Sequence, residues 1–346
     1  MDKRNYCNAL GFIATYKPLD EPLLFNEMNS RLDGIELKIR GKSSAAFYVN
    51  DYATAVEEIH KESFVFLLHI HPFMYKSDIC GKRSDFDTYA SMLEKLLPML
   101  ALSEKIVCQC RIDSAVPKDY SNKELTTLLA DFLQDRGYII SPQDAMISVS
   151  LTVYDNSAYM GISFLEDNVS DWTGGVLFYS KSNDVICRSE FKIEEACKVF
   201  NVQISEGMRA LDLGAAPGGW THYLSQQGVL VDAVDPADLS EDVLKLKNVK
   251  HYQMTAQKFA TIESFSQYDI MVNDMKMDTN QSVDITCEMS EQLRGGGICL
   301  MTLKLPKSGA MKRINIARKV FGRKFETVMI RQLYYNRSEV TICAIK

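Results

Sequence analysis

The sequence lacks the features of a membrane, secreted or disulfide-stabilised protein. No apolar run approaches the roughly 20 residues of a membrane-spanning helix, and the N-terminal apolar run is too short for a signal peptide. The nine cysteines form no C-x-x-C pair, which argues against zinc modules and favours reduced, mostly buried thiols. We therefore expect a cytoplasmic protein with no membrane partner and no metal site.

An excess of positive charge is also missing. Lysine and arginine number 39 against 45 aspartates and glutamates, giving a net charge of -6. This balance argues against nonspecific coating of nucleic acid but permits a local basic surface. Hydrophobic residues make up 46% and charged residues 24% of the chain, as in an ordinary globular protein. The length of 346 residues predicts two or three domains.

The first part of the chain predicts a small α+β domain. Its strands are expected at 8–15, 35–39, 45–49 and 64–71, and its helices at 22–32 and 51–61. This β-α-β-β-α-β order is typical of a ferredoxin-like sandwich. We assign residues 1–75 to that domain.

A second α+β unit is predicted over residues 76–167. Its elements are a helix over 88–100, a strand over 105–113, an amphipathic helix over 123–137 and a hairpin of strands over 146–155 and 157–165. Residues 168–187 show no clear hydrophobic periodicity, so we expect them to form a linker.

Residues 188–346 alternate regularly between apolar strands and helices. The strands are expected at 208–214, 230–235, 268–274 and 297–305, followed by a hairpin of strands over 327–333 and 339–346. This order predicts an α/β domain of the Rossmann-like type, a doubly wound, mostly parallel sheet with an antiparallel last strand. In such a sheet the carboxyl ends of the parallel strands border one ligand-binding crevice.

The sharpest motif is a glycine-rich loop between the first of these strands and the next helix, LDLGAAPGGW. Its glycines allow the backbone to approach a ligand closely. The spacing is not the Gly-x-Gly-x-x-Gly of dinucleotide binders, and Pro217 removes an amide that a pyrophosphate would use. Asp235 ends the next strand, at the offset where a carboxylate binds ribose hydroxyls. A sulfonium amino acid that carries a ribose fits these features better than a polyphosphate does.

The C-terminal domain, residues 188–346, resembles the FtsJ/RlmM family of S-adenosylmethionine-dependent ribosomal RNA 2′-O-methyltransferases. The resemblance is carried by RSEFKIEEACKVF, LDLGAAPGGWT, MVNDM, LKLP and QLYYNRSEVT, in this order. It implies S-adenosylmethionine as the cofactor. The expected cofactor-binding residues are Ser189, Gly214, Ala216, Pro217, Gly218, Gly219, Trp220, Asp235, Thr255 and Asp274. Thr255 departs from the family, which usually has an acidic residue near the adenine, so its hydroxyl or a neighbouring amide would have to substitute.

The resemblance also implies a catalytic set of four residues, Lys192, Asp274, Lys304 and Glu339. A ribose hydroxyl is a very weak acid, so methyl transfer to it needs a base and a fixed geometry. We assign Lys304 as the general base.

Other methyl-transfer chemistries require sequence motifs that this chain lacks. The strand expected over 268–274 leads into NDMKMD and not into the Asn/Asp-Pro-Pro-aromatic run of amino-group methylation. Neither the nucleophilic cysteine of carbon-5 methylation nor the three-cysteine cluster of the radical route is present. Of the methyl-transfer chemistries considered, methylation of an oxygen is the one that remains.

Two features indicate RNA as the partner. Residues 85–165 resemble the THUMP domain, an RNA-binding module of RNA-modifying enzymes, so we describe 76–167 as THUMP-like. The chain from Lys304 to Phe325 carries eight basic and no acidic residues, which predicts either a phosphate-binding surface beside the crevice or a solvated helix face. Tyr334 and Tyr335 either stack on a base or pack in the core.

The leading hypothesis is 2′-O-methylation of structured RNA, with large-subunit (23S) ribosomal RNA as the substrate. The second is a transfer RNA methyltransferase, because THUMP modules often serve that substrate. The third is a non-catalytic RNA-binding factor for ribosome assembly, against which the complete Lys–Asp–Lys–Glu set argues. No obligate protein partner is evident.

Overall fold

The computed structural model describes residues 8–61, 63–177, 185–262 and 267–346. The chain divides into two compact units, Met1–Val176 and Leu177–Lys346. Within the described ranges, no helix is both long enough and apolar enough to cross a membrane.

The first unit begins with a four-stranded sheet and two helices in the order β-α-β-β-α-β, as the sequence predicts. The elements are β1 (Gly11–Thr15), α1 (Glu21–Arg31), β2 (Glu36–Arg40), β3 (Ser44–Tyr48), α2 (Tyr52–Lys61) and β4 (His69–Phe73). The strands lie in the order β2-β3-β1-β4, and every neighbouring pair is antiparallel. This is a split βαβ arrangement.

The strand expected over 64–71 was placed too early. Residues 64–68 are buried, as a strand of the core would be. However, strand β4 begins only at His69. The cause is Glu27, whose carboxylate accepts the backbone N–H groups of Val65 and Phe66 at 3.0 Å each. Because a buried N–H needs an acceptor, this side chain replaces a sheet partner, and hydrophobicity alone could not reveal it.

A five-stranded sheet completes the first unit. Its elements are β5 (Tyr75–Asp78), α3 (Asp85–Glu94), β6 (Lys105–Ile112), α4 (Asn122–Gln134), β7 (Ile139–Ile140), β8 (Ile147–Val153) and β9 (Ser157–Phe164). The strand order is β5-β9-β8-β6-β7, and the predicted hairpin is the antiparallel pair β8–β9. α3 ends at Glu94, earlier than expected, and Pro98 lies in a separate 3-10 turn, since proline lacks the N–H that would continue the helix.

The first unit extends to Val176, beyond the expected boundary at residue 167. Thr15 donates its hydroxyl to the carbonyl of Gly174 at 2.9 Å, and Gln109 donates to the carbonyl of Asp171 at 2.8 Å. The first part of the expected linker is therefore packed on this unit. Residues 178–184 of that linker lie outside the described residues, and the domain boundaries remain predictions.

The second unit is a seven-stranded sheet covered by helices. Its elements are α5 (Glu190–Val199), β10 (Arg209–Leu213), α6 (Gly219–Gln226), β11 (Leu230–Val234), α7 (Glu241–Leu244), β12 (Val249–Tyr252), α8 (Ala256–Ala260), β13 (Tyr268–Asn273), α9 (Thr279–Met289), β14 (Leu293–Lys304), α10 (Ala310–Phe321), β15 (Thr327–Arg331) and β16 (Glu339–Ile345). The order is β12-β11-β10-β13-β14-β16-β15, with β10 to β14 mutually parallel and β16 antiparallel to both neighbours.

The predicted doubly wound sheet with an antiparallel last strand is confirmed. Its core is formed by the central strands and the helices on them, with Ala210, Leu224, Val231 and Leu300 almost fully buried. Strand β12 was not predicted. It has four residues, lies at the sheet edge and is only partly buried, so it lacks the apolar run that identifies the central strands.

Candidate active site

Four charged residues from four separate elements meet at the carboxyl edge of the parallel strands. Asp274 directly follows β13, Lys304 is the last residue of β14 and Glu339 is the first residue of β16. Because β16 runs antiparallel to β14, its first residue lies where β14 ends. Lys192 comes from the first turn of α5. We call these four residues the charged tetrad.

Each lysine of the tetrad contacts both carboxylates. Lys192 Nζ lies 2.7 Å from Glu339 Oε1 and 3.3 Å from Asp274 Oδ2. Lys304 Nζ lies 3.0 Å from Asp274 Oδ1 and 3.7 Å from Glu339 Oε2. The side chain of Lys192 is 14% exposed and that of Lys304 is 29% exposed. Lys304 is therefore the more accessible and the less tightly held of the two lysines.

The ion pairs hold three of these groups in their charged forms. Burial lowers the pKa of Lys192, but attraction to Asp274 and Glu339 outweighs burial and leaves that pKa above its ordinary value. Burial raises the pKa of the Asp274 and Glu339 carboxyls, yet the neighbouring lysines bring both below their ordinary values. Lys192 is thus a permanent cation, and both carboxylates are anions at neutral pH.

Thr302 orients the central carboxylate and was not predicted from the sequence. Its hydroxyl donates to Asp274 Oδ1 at 2.6 Å. Thr302 lies two residues before Lys304 on β14, so strand alternation places both side chains on one face. The sequence shows only that a hydroxyl residue lies two positions before the candidate base; its contact with Asp274 appears in the structure.

The glycine-rich loop follows β10 and lies beside the tetrad. Gly214 has φ +78°, and a Cβ there would lie 2.4 Å from Met275 Cγ and 2.9 Å from Met275 Cα. Gly218 has φ +113° and precedes α6. Both positions therefore require glycine, and the close approach of Gly214 to Met275 brings the loop to the residue that follows Asp274.

Backbone and side-chain contacts fix the rest of the loop. The amides of Ala216 and Ala237 donate to the carboxylate of Asp235 at 3.1 and 2.8 Å. The carbonyl of Pro217 accepts the N–H of Ser240 at 2.9 Å. Asp235 is thus joined to the loop, while its expected contact with a ribose stays a prediction.

Ser189 lies on the other side of the loop. Trp220 donates its indole N–H to the carbonyl of Ser189 at 2.9 Å. A Cβ at Gly219 would lie only 2.6 Å from Ser189 Oγ. The start of α6 and the segment before α5 therefore pack closely together.

Asp212, the carboxylate within the loop motif, was not among the expected site residues. It is 1% exposed and accepts the hydroxyl of Thr221 at 2.6 Å. Burial raises the pKa of Asp212 to about 7, with Asp274 and Asp235 as further contributors. Asp212 lies near the end of β10, and Asp235 and Asp274 directly follow the neighbouring strands β11 and β13.

Thr255 is placed differently from the other expected cofactor residues. It is exposed, and its hydroxyl accepts the N–H of Lys258 at 3.3 Å as the N-cap of α8. No hydrogen bond joins Thr255 to the loop within the described part of the chain. A contact of Thr255 with the adenine remains a prediction.

The basic run after Lys304 forms α10 and the segments at its two ends. Ile314, Ala317 and Phe321 of α10 are buried. The exposed basic residues are Lys307, Lys312, Arg318, Lys319, Arg323 and Lys324, and we call them the basic face. Arg313 donates to Asn280, and Lys324 pairs with Glu291 at 2.7 Å. The face begins three residues after Lys304.

The two tyrosines before Glu339 have different environments. Tyr335 is partly buried against Phe191, with ring centroids 5.2 Å apart. Tyr334 is 37% exposed and meets Tyr335 edge-on at 5.4 Å. Tyr335 is thus a packing residue, and Tyr334 is the candidate for a contact with a base.

The C-terminal unit is similar to known methyltransferases. Residues 185–344 match the FtsJ-like methyltransferase family. The ribosomal RNA large subunit methyltransferase M of Pseudoalteromonas translucida is 26% identical over 64% of this chain and 64% of that protein. The protein of the same description from Shewanella sediminis is 24% identical over 86% of this chain and 84% of its own length. That of Azoarcus sp. is 31% identical over 51% of this chain and 50% of its own length. Two of these three alignments span less than two thirds of the relative.

Proposed function

We propose that the protein methylates ribose 2′-hydroxyls of structured RNA with S-adenosylmethionine, because residues 185–344 match the FtsJ-like methyltransferase family. We further propose large-subunit (23S) ribosomal RNA as the substrate, because the similar curated proteins are described as ribosomal RNA large subunit methyltransferases.

The observation that carries the proposal is the charged tetrad beside the glycine-rich loop. Two lysines and two carboxylates occupy one crevice, with every lysine–carboxylate distance between 2.7 and 3.7 Å. A weakly acidic hydroxyl needs a proton acceptor and a fixed approach to the methyl donor. A pure RNA-binding protein would not need such an arrangement.

We assign the proton transfer to Lys304. Lys192 remains charged because both carboxylates raise its pKa, so it balances part of their charge permanently. Lys304 is more exposed and lies 3.7 Å from Glu339, against 2.7 Å for Lys192. In its neutral form Lys304 accepts the proton of the 2′-hydroxyl at Nζ. Asp274 holds that amine in place, and Thr302 holds Asp274.

The donors around the loop support S-adenosylmethionine as the ligand. The cofactor, when bound, supplies an electrophilic methyl group on a positively charged sulfur. Asp235 and Asp274 follow strands beside the loop, and their negative charge suits a cation. Asp235 holds the amide of Ala216 in the loop and would bind the ribose hydroxyls. Ser189 and the backbone from Gly214 to Trp220 would form the remaining wall.

The basic face supports RNA as the partner. Its lysines and arginines would contact phosphates, which set affinity and register without selecting a sequence. Because the face starts three residues after Lys304, a strand bound along α10 would lead to the tetrad.

An in vitro assay tests the proposal directly. The purified protein is incubated with tritium-labelled methyl donor and large-subunit ribosomal RNA from cells that lack it. Nuclease digestion and mass spectrometry then identify the labelled nucleoside. We expect one nucleoside methylated on its ribose. Label on a base would contradict ribose methylation, and label on transfer RNA alone would replace the proposed substrate.

A further inference from the structure

A buried carboxylate links α5 to the turn before Glu339. Glu195 is 2% exposed. Its two oxygens accept the backbone N–H groups of Tyr334 at 2.7 Å and Tyr335 at 2.8 Å. A buried charge is costly unless it is hydrogen-bonded, and charge-assisted hydrogen bonds are the strong ones. Glu195 therefore fixes the backbone of this turn firmly.

The turn is also ordered from within. The side chain of Asn336 accepts the N–H of Leu333 at 2.8 Å and the hydroxyl of Thr341 at 3.2 Å. Asn336 in turn donates its N–H to the carbonyl of Leu333 at 3.1 Å. The turn is thus a rigid piece between β15 and β16, and its placement determines where β16 begins.

Helix α5 contacts this turn and the start of β16 through two of its side chains. Lys192 and Glu195 are three residues apart, so they lie on one side of the helix. Lys192 pairs with Glu339 at 2.7 Å, while Glu195 holds Tyr334 and Tyr335. Phe191 adds a ring contact to Tyr335. The distance between Lys192 and Glu339 therefore depends on how α5 and the turn are joined.

We propose that Glu195 is a positioning residue for methyl transfer. By holding the turn on α5, it fixes where Lys192 and Glu339 meet, and hence the carboxylates that hold Lys304. This inference rests on the proposed function of the tetrad. Glu195 itself touches neither the reacting hydroxyl nor the methyl donor.

Three variants test the role of Glu195. Glu195→Ala removes both acceptors and leaves two N–H groups without their partner. Glu195→Gln keeps one acceptor oxygen. Glu194→Gln is the matched control, because Glu194 lies on the same helix and pairs with Lys198 in an exposed i, i+4 contact. The measurements are kcat, KM for RNA, methyl-donor affinity by calorimetry, and hydrogen exchange of the turn amides.

We expect Glu195→Ala to lower kcat roughly 10- to 100-fold, the effect of a displacement of about 1 Å at a reacting centre. KM and donor affinity should change less than about twofold. The amides of Tyr334 and Tyr335 should exchange faster. Glu195→Gln should fall between Glu195→Ala and the wild type, and Glu194→Gln should equal the wild type.

Two results would overturn the inference. One is a folded Glu195→Ala variant with wild-type kcat, and the other is equal loss of kcat and donor affinity, which indicates general destabilisation. If Glu195→Ala does not fold, Glu195→Gln decides, since wild-type kcat with faster amide exchange would equally refute positioning. Absence of ribose methylation by the wild type would refute the proposed function instead, so the two failures are distinguishable.

Discussion

Lys304 lies directly opposite Glu339 in the antiparallel ladder between β14 and β16. Lys304 ends its strand and Glu339 begins the other, so both side chains stand at the edge where the parallel strands terminate. The neighbouring parallel strand β13 delivers Asp274 to the same edge. The antiparallel strand thus adds a second carboxylate that the parallel strands alone would not bring there.

Replacing the proposed base should abolish turnover without affecting the cofactor. Lys304→Ala removes the proton acceptor, so methyl transfer should fall at least ~10²-fold, the contribution typical of a positioned base. The melting temperature and donor affinity should be retained. Lys247→Ala, which removes an exposed lysine outside the basic face, is the control for loss of charge. Near-wild-type turnover of Lys304→Ala, measured in a single-turnover assay, would refute the assignment.

The cofactor site should depend on Asp235. Asp235→Ala removes the proposed charge-assisted contacts to the ribose and releases the amide of Ala216. Affinity for S-adenosylmethionine should fall by about 1.5–3 kcal/mol, or roughly 10- to 100-fold. Isothermal titration calorimetry measures this loss. Asp238→Ala changes an exposed carboxylate of the same segment and should bind normally, whereas unchanged affinity of Asp235→Ala would exclude Asp235 from the site.

Asp212 predicts an unusual dependence of stability on pH. Burial raises the pKa of Asp212 to about 7 in the folded protein, against about 4 in the unfolded chain. The folded state therefore holds the proton more tightly, and stability from this residue is lost as pH rises from about 4 through 7. Asp212→Asn cannot ionise and should escape this loss.

The comparison of Asp212→Asn with the wild type should be made by urea unfolding at pH 5 and pH 8. From pH 5 to pH 8, the free energy of unfolding of Asp212→Asn should rise relative to that of the wild type by at most about 3 kcal/mol. Asp274 and Glu339 have lowered pKa values, so the stability that they contribute to the folded protein is lost only at acid pH. Their effect is common to both proteins, so parallel pH profiles would contradict the burial argument.

The basic face should set the salt dependence of RNA binding. Changing Lys312, Lys319 and Arg323 together to glutamine should weaken binding at low salt for all RNA sequences. The slope of log affinity against log salt should decrease by about 1 for each lost phosphate contact. Lys245 and Lys247, exposed lysines beside α7, provide the control pair. An unchanged slope in a filter-binding titration would show that α10 is only a solvated helix face.

Much of the C-terminal architecture was predictable because it follows from chemistry that is local in sequence. Apolar runs reveal the central strands, and the glycines at 214 and 218 reveal a turn with positive φ. Strand-end positions then bring Asp274, Lys304 and Glu339 to one edge. The approach of Lys192 from α5 followed only from the resemblance, since helix packing is not encoded at fixed sequence spacing.

Several residues that hold the backbone or a side chain in place were not predictable for a related reason. Glu27 and Glu195 are single buried carboxylates that accept backbone N–H groups from distant segments. Either would be read as a surface charge on an amphipathic helix, because burial of a carboxylate depends on partners far along the chain. Thr302 is similar, since its role appears only once Asp274 is known to lie beside it.

The central claim, ribose methylation of large-subunit ribosomal RNA, is tested most directly by alkaline hydrolysis mapping. A 2′-O-methyl group blocks alkaline cleavage at the following phosphate, so each modified position is a gap in the map. Ribosomal and transfer RNA are mapped together from cells with and without the protein, and from cells that express Lys304→Ala. We predict the loss of one gap in large-subunit ribosomal RNA, restored by the wild type and not by Lys304→Ala. Maps with no lost gap, or a lost gap in transfer RNA only, would contradict the claim.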